Sequence, residues 1–78
     1  MKTGEMRQHF MNIASEVGIN PRNREFLATT TFYASLKIRQ DDPAGIERVI
    51  KQAKRAGENQ DVAESYARQC AAAIRTWF

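Results

Sequence analysis

Three interruptions divide this chain into segments too short to be one long helix: "GINP" at residues 18–21, "QDDP" at 40–43 and "AG" at 56–57. Gly18 suits the position just past a helix end, where a positive φ is needed, and Ile19 can fold back as the apolar contact that accompanies such a stop. Asn20-Pro21 then signals a new start, because proline fits the first helical turn and not the interior. Asp42 is an N-cap type with Pro43 at the first helical position. Gly57 is a second stop, and Asp61 with Glu64 three residues later resembles a capping box.

Apolar residues between these marks recur at helical spacing. Met6, Phe10, Ile13 and Val17 predict a helix over about 4–17, and Ile46, Val49, Ile50 and Ala53 predict one over 43–56, with Lys54 and Arg55 at its electronegative end. Val62, Tyr66, Cys70, Ala73 and Trp77, with Ala67 and Ile74 beside them, predict a third over 61–77. The chain carries no repeat, low-complexity run or linker. The expectation is a mainly α, single compact domain over 1–78.

Residues 21–40 admit two readings. On a helical wheel Phe26, Leu27, Phe32, Tyr33, Leu36 and Ile38 scatter around the axis and leave no polar face, as expected of a fourth, central helix surrounded by the others. Alternation supports a strand over 29–39 instead: Phe32, Ala34, Leu36 and Ile38 fall on one side and Thr31, Tyr33, Ser35, Lys37 and Arg39 on the other, after a β-branched Thr29-Thr30-Thr31 run. A lone strand has no partner within its own chain, so this alternative implies a dimer.

Composition narrows the chemistry. A chain of 78 residues buries only about 60% of its unfolded surface, so stability is marginal and a homodimer is one way to add to it. One cysteine and one histidine make neither an internal disulfide nor a three- or four-ligand zinc site, which leaves no metal or cofactor to expect and a cytoplasmic protein as the default. "MKTGEMRQHF" has no apolar core after Lys2, and the longest apolar run, "CAAAI", falls far short of a membrane span. Ser15, Ser35 and Ser65 have no recognisable base beside them, His9 flanks an apolar stripe, and Cys70 lies on one, so no enzyme is expected.

Twelve Lys and Arg against nine Asp and Glu leave a net charge of +3. The surplus is local: Arg48, Lys51, Lys54 and Arg55 oppose only Glu47, whereas Glu58, Asp61 and Glu64 offset Arg68 and Arg75 in the last segment. "YASLKIR", "DPAGIERVIKQAKRAG" and the final helix together resemble the ribbon-helix-helix family of dimeric DNA-binding proteins over about residues 31–78. That resemblance implies that Ser35, Lys37 and Arg39 face base edges from a paired strand. "IASEVGIN", with Ala14 and Gly18, is similar to a helix-turn-helix unit.

Two functions follow as expectations. One is a DNA-binding regulator that uses Ser35, Lys37, Arg39, Arg48, Lys51, Lys54 and Arg55. The other is a protein-binding adaptor or inhibitor, for example a mobile-element-encoded modulator of a host complex, anchored by Tyr33, Arg75, Trp77 and Phe78 together with Arg39.

Overall fold

The computed structural model describes residues 3–77 as four helices, α1 (Thr3–Val17), α2 (Pro21–Arg39), α3 (Pro43–Arg55) and α4 (Gln60–Trp77), with no strand among the described residues. Residues 29–39 are therefore helical, and the paired-strand alternative, with the ribbon-helix-helix architecture it implied, is not the fold. Burial explains why alternation misled: Ala34 and Ile38 are buried, Phe32 is half-buried and Leu36 is exposed. The four do not share one environment, as one face of a strand would.

One device builds all three turns. Gly18 (φ +91°) ends α1, with Ile19 N–H donating to the Ala14 carbonyl at 2.9 Å and Gly18 N–H to Ser15 at 3.2 Å. Gly57 (φ +102°) ends α3 in the same way, through Glu58 N–H to Ala53 at 3.1 Å. Asp41 (φ +58°) takes that role after α2, where Asp42 N–H meets the Lys37 carbonyl at 2.9 Å. These paired bonds satisfy carbonyls that a helix end otherwise leaves open.

A cap follows within two residues of each stop. Asn20 Oδ1 accepts from Arg22 N–H at 3.1 Å, Asp42 Oδ1 from Ala44 N–H at 3.0 Å, and Asn59 Oδ1 from Val62 N–H at 2.9 Å. Asn59 therefore opens α4, and Asp61 sits inside its first turn. Glu58 adds a tie between turns: its Oε2 accepts from Asn23 Nδ2 at 2.7 Å and from Asn20 N–H at 3.2 Å. This places a carboxylate at the electropositive start of α2.

Such short connections bring successive helices side by side. α2 and α4 each pack on all three other helices, while α1 and α3 lie on opposite flanks and do not touch. The central position expected for residues 21–40 is thus shared between α2 and α4. Phe10, Ile19, Leu27, Ile38, Val49, Tyr66 and Ile74 are fully buried, each apolar side chain contributing about 1.5–3 kcal/mol. Ala14, Ala28, Ala34, Ala53, Ala63, Ala67 and Ala71 fill the crossings between them.

The radius of gyration, 10.9 Å, is close to the ~11.5 Å expected for a closed domain of this length, so the monomer buries its core without a second copy. At the far end of α4, Trp77 packs on His9 and Phe10 of α1, with ring centroids 5.0 and 5.5 Å away.

Candidate partner-binding face

α2 carries two apolar stripes. Leu27, Ala28, Thr31, Ala34 and Ile38 form the buried one. Phe26 and Tyr33 form the other, turned roughly 140° away on the wheel, with Leu36 about 60° further round, and they remain 51%, 75% and 60% exposed. This is why the helix shows no polar face in sequence. Tyr33 is braced: the Phe32 ring meets it edge to face with centroids 5.7 Å apart, which restricts an otherwise solvated side chain.

α3 lies alongside. Phe26, Thr29, Thr30 and Tyr33 share a groove of about 320 Å³ with Arg48 and Gln52. Arg48, Lys51 and Arg55 line the outer face of α3 with Ala44, Glu47 and Gln52, and Lys54 joins Lys51 and Arg55 where α3 meets the start of α4 at Gln60. All four cations are exposed, and Glu47 is the only acid in α3. The nearest α2 carboxylate, Glu25, points instead toward α1, where Arg7 approaches it at 3.7 Å.

The remaining candidate residues lie elsewhere. Ser35 is half-buried and donates its hydroxyl hydrogen to the Phe32 carbonyl at 2.7 Å. Lys37 and Arg39 are exposed in the last turn of α2. Arg75 pairs with Asp41 at 3.1 Å across the α2–α3 turn, Trp77 is half-buried against α1, and Phe78 falls outside the described residues. The structure thus joins Tyr33 to Arg48, Lys51 and Arg55 and separates them from Arg75 and Trp77. Phe26, Thr29, Thr30 and Gln52 belong to this face but escaped the sequence reading, whose one clue was the missing polar side of α2.

The two groups with displaced pKa values are sealed in the core: burial drives Tyr66 well above the usual phenol range and pushes the Cys70 thiol up to about 12. A buried, protonated thiol is a poor nucleophile. Among the described residues no cluster of three or more His, Cys, Asp or Glu could hold a metal ion, and no helix is long and apolar enough to cross a membrane. No protein-family model, curated protein or solved structure matches the chain.

Proposed function

We propose that this chain is a non-enzymatic protein-binding module, an adaptor or inhibitor that docks through the α2–α3 face onto an apolar partner surface rimmed by carboxylates. One observation carries the reading: Phe26 and Tyr33 stand exposed along one side of α2 with Arg48, Lys51 and Arg55 beside them, and Leu36 is exposed on the adjoining side of the same helix. Large apolar side chains grouped on a small surface are costly to leave wet, and grouping them beside arginine is the composition of interface anchors. Tyr33, held by Phe32, loses little side-chain entropy on docking.

DNA binding is the second reading, favoured by the placement of Arg48, Lys51 and Arg55 on successive turns of one helix face. It accounts for the cations but gives the exposed Phe26 nothing to do. It also predicts a steep loss of affinity with salt, since log K falls by about 0.9 per neutralised phosphate for each decade of salt.

Nuclease-treated affinity capture from the producing cells, with the wild type, a Tyr33→Ser/Leu36→Ser double variant and an Arg48→Glu/Lys51→Glu double variant, separates the two. Docking predicts a protein retained by the wild type and lost from both variants. Recovery of nucleic acid alone, or of proteins indifferent to Tyr33 and Leu36, overturns it.

A further inference from the structure

The geometry points to the occupant of this face: a single amphipathic helix of the partner, seated in the groove between α2 and α3 with carboxylates along the edge that overlies α3. The inference rests on the protein-docking reading above and adds the partner's shape and charge.

Shape comes first. No strand among the described residues offers a sheet edge, and the backbone polar groups of helix interiors are already paired, so an extended peptide has no ladder to join. What α2 and α3 offer is a trough between two helices placed side by side. Phe26, Thr29, Thr30 and Tyr33 form one side, spanning two turns, and Arg48 and Gln52, one turn apart, form the other. A third helix laid over such a pair packs at about 8–10 Å from each, the normal interaxial separation. Phe26 and Tyr33 are seven residues apart, so the apolar points of the trough extend over roughly 10 Å. Apolar residues at i, i+3 or i+4 and i+7 of a partner helix match that length.

Charge then sets the partner's character. Arg48, Lys51 and Arg55 flank the trough on the α3 side against Glu47 alone, and Lys37 stands exposed at its end. A seated helix is stabilised by Asp or Glu on that edge and opposed by Lys or Arg. A second copy of this chain fits poorly, because two-fold pairing would set one net-positive face against another.

The test is fluorescence anisotropy with labelled synthetic peptides of about 18 residues, long enough to cover the face. One has leucines at helical spacing and glutamates on one flank, a second has lysine at each glutamate, and a third has a central proline that breaks the helix; a single-stranded oligothymidine is the fourth probe. The glutamate peptide is expected to bind at least tenfold more tightly than the other three, to lose tenfold or more against Tyr33→Ser, and to yield its preference to the lysine peptide against Arg48→Glu/Lys51→Glu. These side chains are exposed, and circular dichroism checks that each variant keeps the helical fold. Equal binding of the proline-broken peptide, no discrimination between glutamate and lysine, tighter binding of the oligothymidine, or no binding at all each overturns the inference. If the peptides fail while cellular capture still depends on Tyr33 and Leu36, the docking reading stands and only the helical occupant falls.

Discussion

The Tyr66 phenol on α4 donates a hydrogen bond across the core to the Thr31 hydroxyl on α2, oxygen to oxygen 2.9 Å. The direction follows from Thr31, whose single hydroxyl hydrogen is committed to the Leu27 carbonyl at 2.8 Å, leaving its oxygen to accept. Both side chains are fully buried. Thr31→Val therefore leaves the buried phenol O–H with only the weak sulfur acceptor of Cys70 and is expected to cost about 1–3 kcal/mol, whereas Tyr66→Phe leaves Thr31 bonded to Leu27 and costs about 1 kcal/mol. Urea unfolding of both variants and of the double variant tests the coupling. The double should cost less than the sum, because it leaves no donor stranded; strict additivity would show that the bond contributes nothing.

The same buried group fixes how stability responds to alkali. Tyr66 and Cys70 are held above their ordinary values of 10.0 and 9.0, chiefly by burial, and in Tyr66 the neighbouring Cys70 adds to the rise. Both groups are neutral when protonated, and the folded state keeps its proton longer than the unfolded one. Their contribution is thus complete below pH 9 and is lost as pH rises, first as unfolded Cys70 ionises and then as unfolded Tyr66 does. Unfolding free energy measured from pH 8 to 11 should fall by up to about 1.4 kcal/mol per pH unit per ionising group. Cys70→Ala should flatten the first part of that slope.

α1, α3 and α4 were legible because each buries one stripe and wets the rest, so hydrophobic period and burial agree. Even there the register of α4 shifted slightly: Ala63 and Ala71 lie in the core, while Val62 and Ala73 sit at its edge. α2 was ambiguous for a physical reason, since Leu27, Thr31, Ala34 and Ile38 answer to the core and Phe26, Tyr33 and Leu36 to the surface. Two superposed stripes resemble no stripe, and a three-threonine run inside a helix adds to the impression of a strand. Thr31 offsets part of its poor propensity by bonding to Leu27. The candidate face was half legible: the α3 cations were read from sequence, but nothing in it placed Tyr33 next to Arg48 or bound Ser35, Arg75 and Trp77 to intramolecular partners.

Asp41 was missed as a stop because it is not glycine. Its φ of +58° is tolerated by Asp better than by most residues but still costs free energy relative to glycine. Asp41→Gly is expected to stabilise the fold by about 0.5–1 kcal/mol, less whatever the Arg75 pair supplies. That pair is exposed, and such pairs contribute about 0–1 kcal/mol. Asp41→Asn isolates the pair, since Asn keeps the tolerance for positive φ and removes the charge. Thermal unfolding at low and high salt should show the Asn variant slightly below the wild type only at low salt, and the Gly variant above both.

Gly45 poses the opposite problem, because it lies inside a helix where alanine is ordinarily better by about 1 kcal/mol. It is buried where α3 crosses the end of α2, and a Cβ there would stand 2.8 Å from Ile38 Cγ1, 2.9 Å from Ile38 N and 3.1 Å from Lys37 Cβ. The Ile38 side chain could rotate, but its backbone nitrogen is held in α2 and cannot withdraw without opening the α2–α3 contact that forms the candidate face. Overpacking of this kind costs about 1–3 kcal/mol, which outweighs the propensity gain. Gly45→Ala should therefore lower the melting temperature, by roughly 4–8 °C for each net kcal/mol lost. Should separation of the two helices relieve the clash, partner capture would weaken along with stability; a variant that melts higher than the wild type would show that the crossing is looser than its 2.9 Å approach implies.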